Sequence, residues 1–176
     1  MNDFQNKSFD KSLPRKISVE KDVPIIDLLL KELDELHAIQ GLKTTLLGLC
    51  PVSIDAIKAS LLCAKFLNFP LMFVATLNQV DIDGGYTGLT QKDFVELVRR
   101  EADKIGFAGP LIIALDHGGP WTKDKHVAEG FSYEETIEWV KKSIKECIAA
   151  GYDHLHIDTT IDITLKEGEL LSIDVM

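Results

Sequence analysis

The amino-acid sequence predicts an α/β fold, a parallel sheet covered by helices, on three observations. Short continuous apolar runs recur along the chain: TTLLGLC (44–50), LMFVATL (71–77), PLIIAL (110–115) and HLHID (154–158). Amphipathic stretches separate them. Helix signals bracket those stretches, with Ser53, Thr90 plus Asp93, and Ser132 plus Glu135 at the starts and Gly151 at the last stop. Parallel strands need crossovers and are buried on both faces, which is what apolar runs alternating with helices describe.

Residues 1–22 are polar and lack periodicity, so they predict a mobile arm or an irregular wrap, with 23–176 as the folded domain. From Pro24 a helix opens with a stripe of Ile26, Leu29, Leu30, Leu33 and Leu36 and stops at Gly41. IDAIKASLLCAKFLN follows the first strand as a helix. The helix after the second strand carries Phe94, Leu97, Val98 and Ile105, and the one after the third carries Ile137, Val140, Ile144 and Ile148. LLSIDVM reads as a capped helix beginning at Ser172, or as one arm of a hairpin through KEGE.

Pattern alone leaves two architectures, an open doubly wound sheet or part of a (βα)8 barrel. The fourth strand favours the barrel. Its two-residue period puts His154, His156 and Asp158 on one face and Leu155 and Ile157 on the other. Buried between greasy helices, two histidines and an acid are costly unless paired; a barrel interior takes them more readily.

Nineteen basic and twenty-eight acidic residues give a net charge of -9, which disfavours nucleic acid and anionic membranes as partners. A secretory apolar segment and a membrane-length apolar run are both missing, so the expected location is cytoplasmic. Cys50, Cys63 and Cys147 are odd in number and widely spaced, which argues against a disulfide framework and a zinc knuckle; Cys63 and Cys147 read as buried thiols. No G-x-x-x-x-G-K-[ST] occurs, and the glycines after strand two do not spell a dinucleotide fingerprint, so no nucleotide cofactor is expected.

In either architecture the working end is the C-terminal edge of the strands. Cys50 follows strand one, Asn78, Gln79, Gly84 and Gly85 follow strand two, Asp116, His117, Gly118 and Gly119 follow strand three, and Asp158 ends strand four. Plain structural roles compete at each position. Cys50 reads as packing against Pro51, Asn78 and Gln79 as satisfying loop backbone, the glycines as turns, and His154 and His156 as core histidines. His37 and His126 read as surface residues. Asp116 with His117 is the exception, because an imidazole is a good ligand for zinc or a similar divalent ion and a neighbouring carboxylate can move a proton. The glycines after the pair would let a substrate approach the backbone.

The stretch TLNQVDIDGGYTGLTQKDFVELVRREADKIGFAGPLIIALDHGGPW resembles the Z-type (GatZ/KbaZ) subunit of D-tagatose-1,6-bisphosphate aldolase, a relative of the class II aldolases. The likeness runs from about Leu46 to Thr160 and rests on NQV, GGYTG with a following hydrophobic-Thr pair, ADKIGF, DHGGPW and HID, in order. Gly118 stands where the family pattern D-H-L-G-P has leucine.

The resemblance implies a TIM barrel, of which about four N-terminal βα units are present, since a full barrel takes about 250 residues. It implies Asp116 as acid/base and His117 as a ligand of a divalent metal; Asn78, Gln79, Gly84, Gly85, Gly118, Gly119 and Asp158, at the same strand edge, are candidate contacts to a phosphorylated ketose, with Cys50 and His156 weaker candidates. With His117 the one dependable ligand, tight metal binding is not expected. The partner it implies is a Y-type catalytic subunit, or further copies of the chain, since a partial barrel leaves open strand edges. Three functions follow as expectations: an accessory, non-catalytic aldolase subunit; a metal-dependent ketose or ketose-phosphate C4 epimerase or aldolase using Asp116 and His117; and an inactive truncated product.

Overall fold

The computed structural model of the chain describes residues 13–166 and residue 169. The helix read at LLSIDVM, like its hairpin alternative, lies outside the described residues. In chain order the elements are α1 (Leu13–Lys21), α2 (Ile25–Gln40), β1 (Leu47–Leu49), α3 (Ile54–Leu67), β2 (Leu71–Thr76), α4 (Gln91–Ile105), β3 (Leu111–Asp116), α5 (Asp124–Ala128), α6 (Tyr133–Ala150) and β4 (His154–Leu155). All four strands are parallel, in the spatial order β1-β2-β3-β4.

The helix boundaries fall where side chains satisfy free backbone groups. Ser53 Oγ accepts the Ala56 N–H. Thr90 with Asp93, and Ser132 with Glu135, form complete capping boxes. Gly41, Asn68, Gly106 and Gly151 close α2, α3, α4 and α6 in the left-handed conformation.

One face of the sheet carries the packed helices. Leu71, Phe73 and Ala75 of β2 and Ile113 of β3 bury against Ile57, Leu61 and Ala64 of α3 and Phe94 and Val98 of α4. Leu115 packs on Val140 and Cys147 of α6. The register pairs Phe73 with Ile113 and Ala75 with Leu115, so these contacts share a single face. On the opposite face Met72, Val74 and Thr76 are only half-buried, and Thr76 stands beside Asp116. The fourth strand continues this alternation: Ala114 pairs with His154 and Leu115 with Leu155, and Leu155 packs with the α6 cluster.

Four expectations change. Residues 13–21 are helical rather than irregular, because Arg15 ties α1 to the sheet, its guanidinium donating to Asp153 at 2.6 Å and to the Leu111 carbonyl at 2.8 Å. The inward face of α6 is Thr136, Val140, Ser143 and Cys147, and Ile148 of the expected stripe is exposed. Small residues win because that face meets a buried carboxylate. Cys63 is exposed, on α3 with Leu62 and Phe66. Of the α2 stripe, Ile26, Leu29 and Leu33 are half-buried and Leu30 and Leu36 exposed, and Leu47 of β1 is exposed, so neither element is fully covered.

Two phenylalanines separate packing from mere hydrophobicity. Phe94 is fully buried and meets Phe73 edge-on at 6.2 Å, whereas Phe66 is 88% exposed. Phe94→Ala is expected to cost about 3–5 kcal/mol in urea denaturation, and Phe66→Ala to stay within about 0.5 kcal/mol.

Candidate functional site

Consecutive strand residues point to opposite faces, so Asp116 and His117 would ordinarily diverge. They do not, because His117 has a φ of 51°, a left-handed backbone uncommon outside glycine. The turn brings His117 Nε2 to 3.6 Å from Asp116 Oδ2. From the next strand, His156 Nδ1 lies 2.9 Å from Asp116 Oδ1. Pairing extends past β4: His156 N–H donates to the Leu115 carbonyl and Gly118 N–H to the His156 carbonyl, which holds the two segments in register. Ligating atoms of Asp116, His117 and His156 thereby lie within 4.8 Å of one another.

Asp158 completes the group from beneath. Its side chain is 4% exposed and bonds His117 Nδ1. Thr160 donates to its other oxygen through both the hydroxyl and the backbone N–H. Burial acts to raise the Asp158 carboxyl, yet the bonds from His117 and Thr160 outweigh it and lower the pKa to about 2. The same bond from Asp158 raises His117 above the ordinary imidazole value, against the opposing effect of burial. A half-exposed carboxylate between two imidazoles can accept and return a proton, and the trio offers the nitrogen and oxygen donors that zinc and similar ions take.

Several predicted residues have work within the loops. Gln79 is buried, its side chain accepting the Thr76 N–H and its carbonyl the Thr87 hydroxyl. Asn78 Oδ1 accepts the Asp124 N–H at 2.9 Å, tying the loop after β2 to the loop after β3. Gly84 and Gly85 have positive φ, and a Cβ on Gly85 would meet the Gln79 carbonyl at 2.5 Å. A Cβ on Gly119 would stand 1.4 Å from the Asp158 carbonyl oxygen, and one on Gly118 would strike Leu115. What approaches these glycines is therefore the chain's own backbone and core, where the sequence suggested a substrate. Cys50 is exposed at the end of β1. His156 moves from a weak candidate to a member of the central group.

Comparison with known proteins gives the family. The family model described as D-tagatose-1,6-bisphosphate aldolase subunit GatZ/KbaZ-like matches residues 30–175. The chain belongs to that family. Among its relatives, the D-tagatose-1,6-bisphosphate aldolase subunit GatZ of Escherichia coli K12 is 36% identical over 121 residues, covering 65% of this chain and 27% of the relative. The subunit of the same name from Shigella boydii serotype 18 is 35% identical over the same coverage. A solved structure of a probable tagatose 6 phosphate kinase from Sinorhizobium meliloti 1021 is similar with a TM-score of 0.59 and 31% identity, over 72% of this chain and 31% of that one. The chain thus spans about a quarter of the curated relatives' length.

In this GatZ/KbaZ-like chain the loops are fixed by a buried polar hub that sequence reading missed. Asp81 is 0% exposed and accepts from Lys123 Nζ (2.9 Å), Trp139 Nε1 (2.8 Å), Ser143 Oγ (2.5 Å) and Gln91 Nε2 (3.0 Å). Lys123, itself 3% exposed, also donates to Asp83 and to the Leu77 carbonyl. The signal was Trp139 and Ser143 four residues apart on α6, interrupting its apolar stripe. His126, expected at the surface, is fully buried between Phe131 and Trp139, because Asp124–Ala128 forms a short helix that turns it inward.

Two outcomes follow. Lys123→Ala leaves the Asp81 carboxylate buried without its cation and is expected to cost about 3–5 kcal/mol in urea denaturation. Burial, with the nearby Lys123 charge, lowers His126 below the ordinary imidazole value, against the pull of Asp81 and Asp83. The unfolded chain then binds a proton that the folded chain refuses, so this contribution is present above the unfolded value near 6.5 and is lost as the pH falls below it. Urea midpoints should fall between about pH 7 and pH 5, with a shallower slope in His126→Leu.

Proposed function

We propose that the chain forms the N-terminal part of a (βα)8 barrel and serves as an accessory, non-catalytic subunit of a class II D-tagatose-1,6-bisphosphate aldolase. In this reading residues 23–176 belong to the barrel and the preceding segment is an appended arm. Sequential strand order and helices packed on a single sheet face support the barrel, since a doubly wound sheet reverses strand order and covers both faces. The accessory role rests on one observation above others: the GatZ/KbaZ-like family model extends over residues 30–175.

The protein would act in the cytoplasm, in the catabolism of galactitol, N-acetylgalactosamine or tagatose 6-phosphate, raising the activity and stability of a Y-type catalytic subunit. No described helix is long and apolar enough to cross a membrane. The ligand of the complex is a phosphorylated ketose, and a divalent metal, zinc or similar, supplies polarisation of the ketose oxygens when bound. Asn78, Gln79, Gly84, Gly85, Gly118 and Gly119 shape the loops around the site, and Asp158 orients His117.

A second reading is favoured by the convergence of His156 on Asp116 and His117. Here the protein itself is a ketose or ketose-phosphate C4 epimerase or aldolase, with Asp116 taking the C4 hydroxyl proton as the C3–C4 bond breaks and returning it on re-addition.

One experiment separates the two. The full-length protein is mixed with a Y-type catalytic subunit, and copurification, cleavage rate and thermal inactivation are measured with wild type and Asp116→Asn. The accessory role predicts copurification, faster cleavage and slower inactivation, with stimulation retained by Asp116→Asn. Turnover by the protein alone that is lost in Asp116→Asn supports the second reading. Absence of both binding and stimulation rejects the accessory role.

A further inference from the structure

We propose that His126 is a proton-operated latch: a proton taken up by its ring opens the segment 121–131, between β3 and α6, while the sheet stays folded. The inference goes beyond the aldolase reading and does not depend on it. It makes the loop that begins at His117 responsive to pH between about 5 and 7.

Three features carry it. The first is a buried ring with unpaired nitrogens. His126 is fully buried, and neither ring nitrogen has a hydrogen-bond partner among the described residues. Its immediate neighbours are aromatic. Phe131 stacks on it at 5.3 Å, and Trp139 meets it edge-on at 5.7 Å. An apolar side chain would fill this cage without leaving polar atoms unpaired, so the imidazole costs stability in the closed state. What a leucine there could not do is take up a proton.

The second is that the closed cage has no partner for that proton. Lys123 and Lys125 act on the ring from its own turn, and Asp81 and Asp83 from the loop after β2; α6 meets it with the Trp139 ring. Both carboxylates are already engaged. One Asp81 oxygen accepts Gln91 and Ser143 and the other Lys123 and Trp139. The oxygens of Asp83 accept Lys123, the Gly85 N–H and Lys125. An imidazolium would therefore stand unpaired beside two ammonium groups. Burial, with the Lys123 charge, keeps the ring neutral against the pull of Asp81 and Asp83.

The third is that the segment can leave without the sheet. Helix α5 has five residues, too few to hold itself. Its turn closes on His126, whose N–H donates to the Lys123 carbonyl and whose carbonyl accepts the Phe131 N–H. The Phe131 carbonyl in turn accepts the Trp121 indole N–H. Residues 127–130 are exposed, so solvent lies one turn from the ring. The core on β2 and β3 rests on α3, α4 and α6 instead. In the open segment His126 is solvated and returns to its ordinary value of 6.5. The closed state is then favoured above that pH and loses ground as the pH falls below it.

The test is amide hydrogen exchange of the whole chain, followed by NMR at about pH 7 and about pH 5 and corrected for intrinsic exchange, together with the carbon-bound ring protons of His126. The opening constant of amides 121–131 is expected to rise by about tenfold or more from the higher to the lower pH. At each pH, amides of β2 and β3 should stay at least about tenfold better protected than the segment, which marks the opening as local. In His126→Leu the segment should be equally protected at both pH values. The ring protons give a readout on the unmodified chain in case that variant misfolds: in the closed form they should keep the shifts of a neutral imidazole through pH 6.5. Four results would each overturn the latch. They are segment opening that ignores pH, the same pH dependence in His126→Leu, a single opening shared by the segment and the strands, and a ring that titrates near 6.5 while the segment stays closed.

Discussion

A lysine and an aspartate with almost no solvent exposure hold the working end of this molecule together. Removing two charges from water is expensive, and such a pair persists only where further hydrogen bonds satisfy both partners. Asp81 has four side-chain donors and Lys123 three acceptors, drawn from the loop after β2, the loop after β3, and helices α4 and α6. Four segments distant in sequence thus meet at a single buried point. Because Lys123 ends the loop that begins at His117, anchoring it also limits where the Asp116–His117 turn can go.

The other end of that loop is fixed by strand four. Gly118 bonds the His156 carbonyl, and the Gly119 backbone lies so close to Asp158 that a side chain there has no room. With both ends tied, the strained backbone at His117 is over-determined by its surroundings, the condition under which such strain persists. The result is a compact arrangement of two carboxylates and two imidazoles at the C-terminal edge of a parallel sheet, where ligand sites of α/β folds gather.

Much of this was legible in the sequence, for identifiable reasons. Capping boxes at Thr90 and Ser132 act through local backbone groups, so they mark helix starts without knowledge of the tertiary fold. The alternation of His154, His156 and Asp158 placed all three on the side of the sheet away from Leu155, and His156 and Asp158 do meet Asp116 and His117. Asp116 and His117 stood out because an acid and an imidazole end an apolar run. The hub did not, since Asp81, Lys123, Trp139 and Ser143 are ordinary residues until folding brings them together. His126 was misread for a related reason: charged neighbours in sequence suggested solvent, while Phe131 and Trp139 cover it in space. Leu30 and Leu36 of the α2 stripe erred in the opposite direction, as apolar residues that stay exposed.

The central claim is that the buried pair positions the His117 turn. A proton-detected NMR spectrum of the His117 imidazole, in the chain and in Asp81→Asn, addresses it most directly. The account predicts that the Nδ1 proton bonded to Asp158 is protected from exchange in the unaltered chain. In Asp81→Asn it should lose protection while the amides of β2 and β3 keep theirs. Retention of that protected proton in Asp81→Asn would contradict the account, because the turn would then hold without the hub.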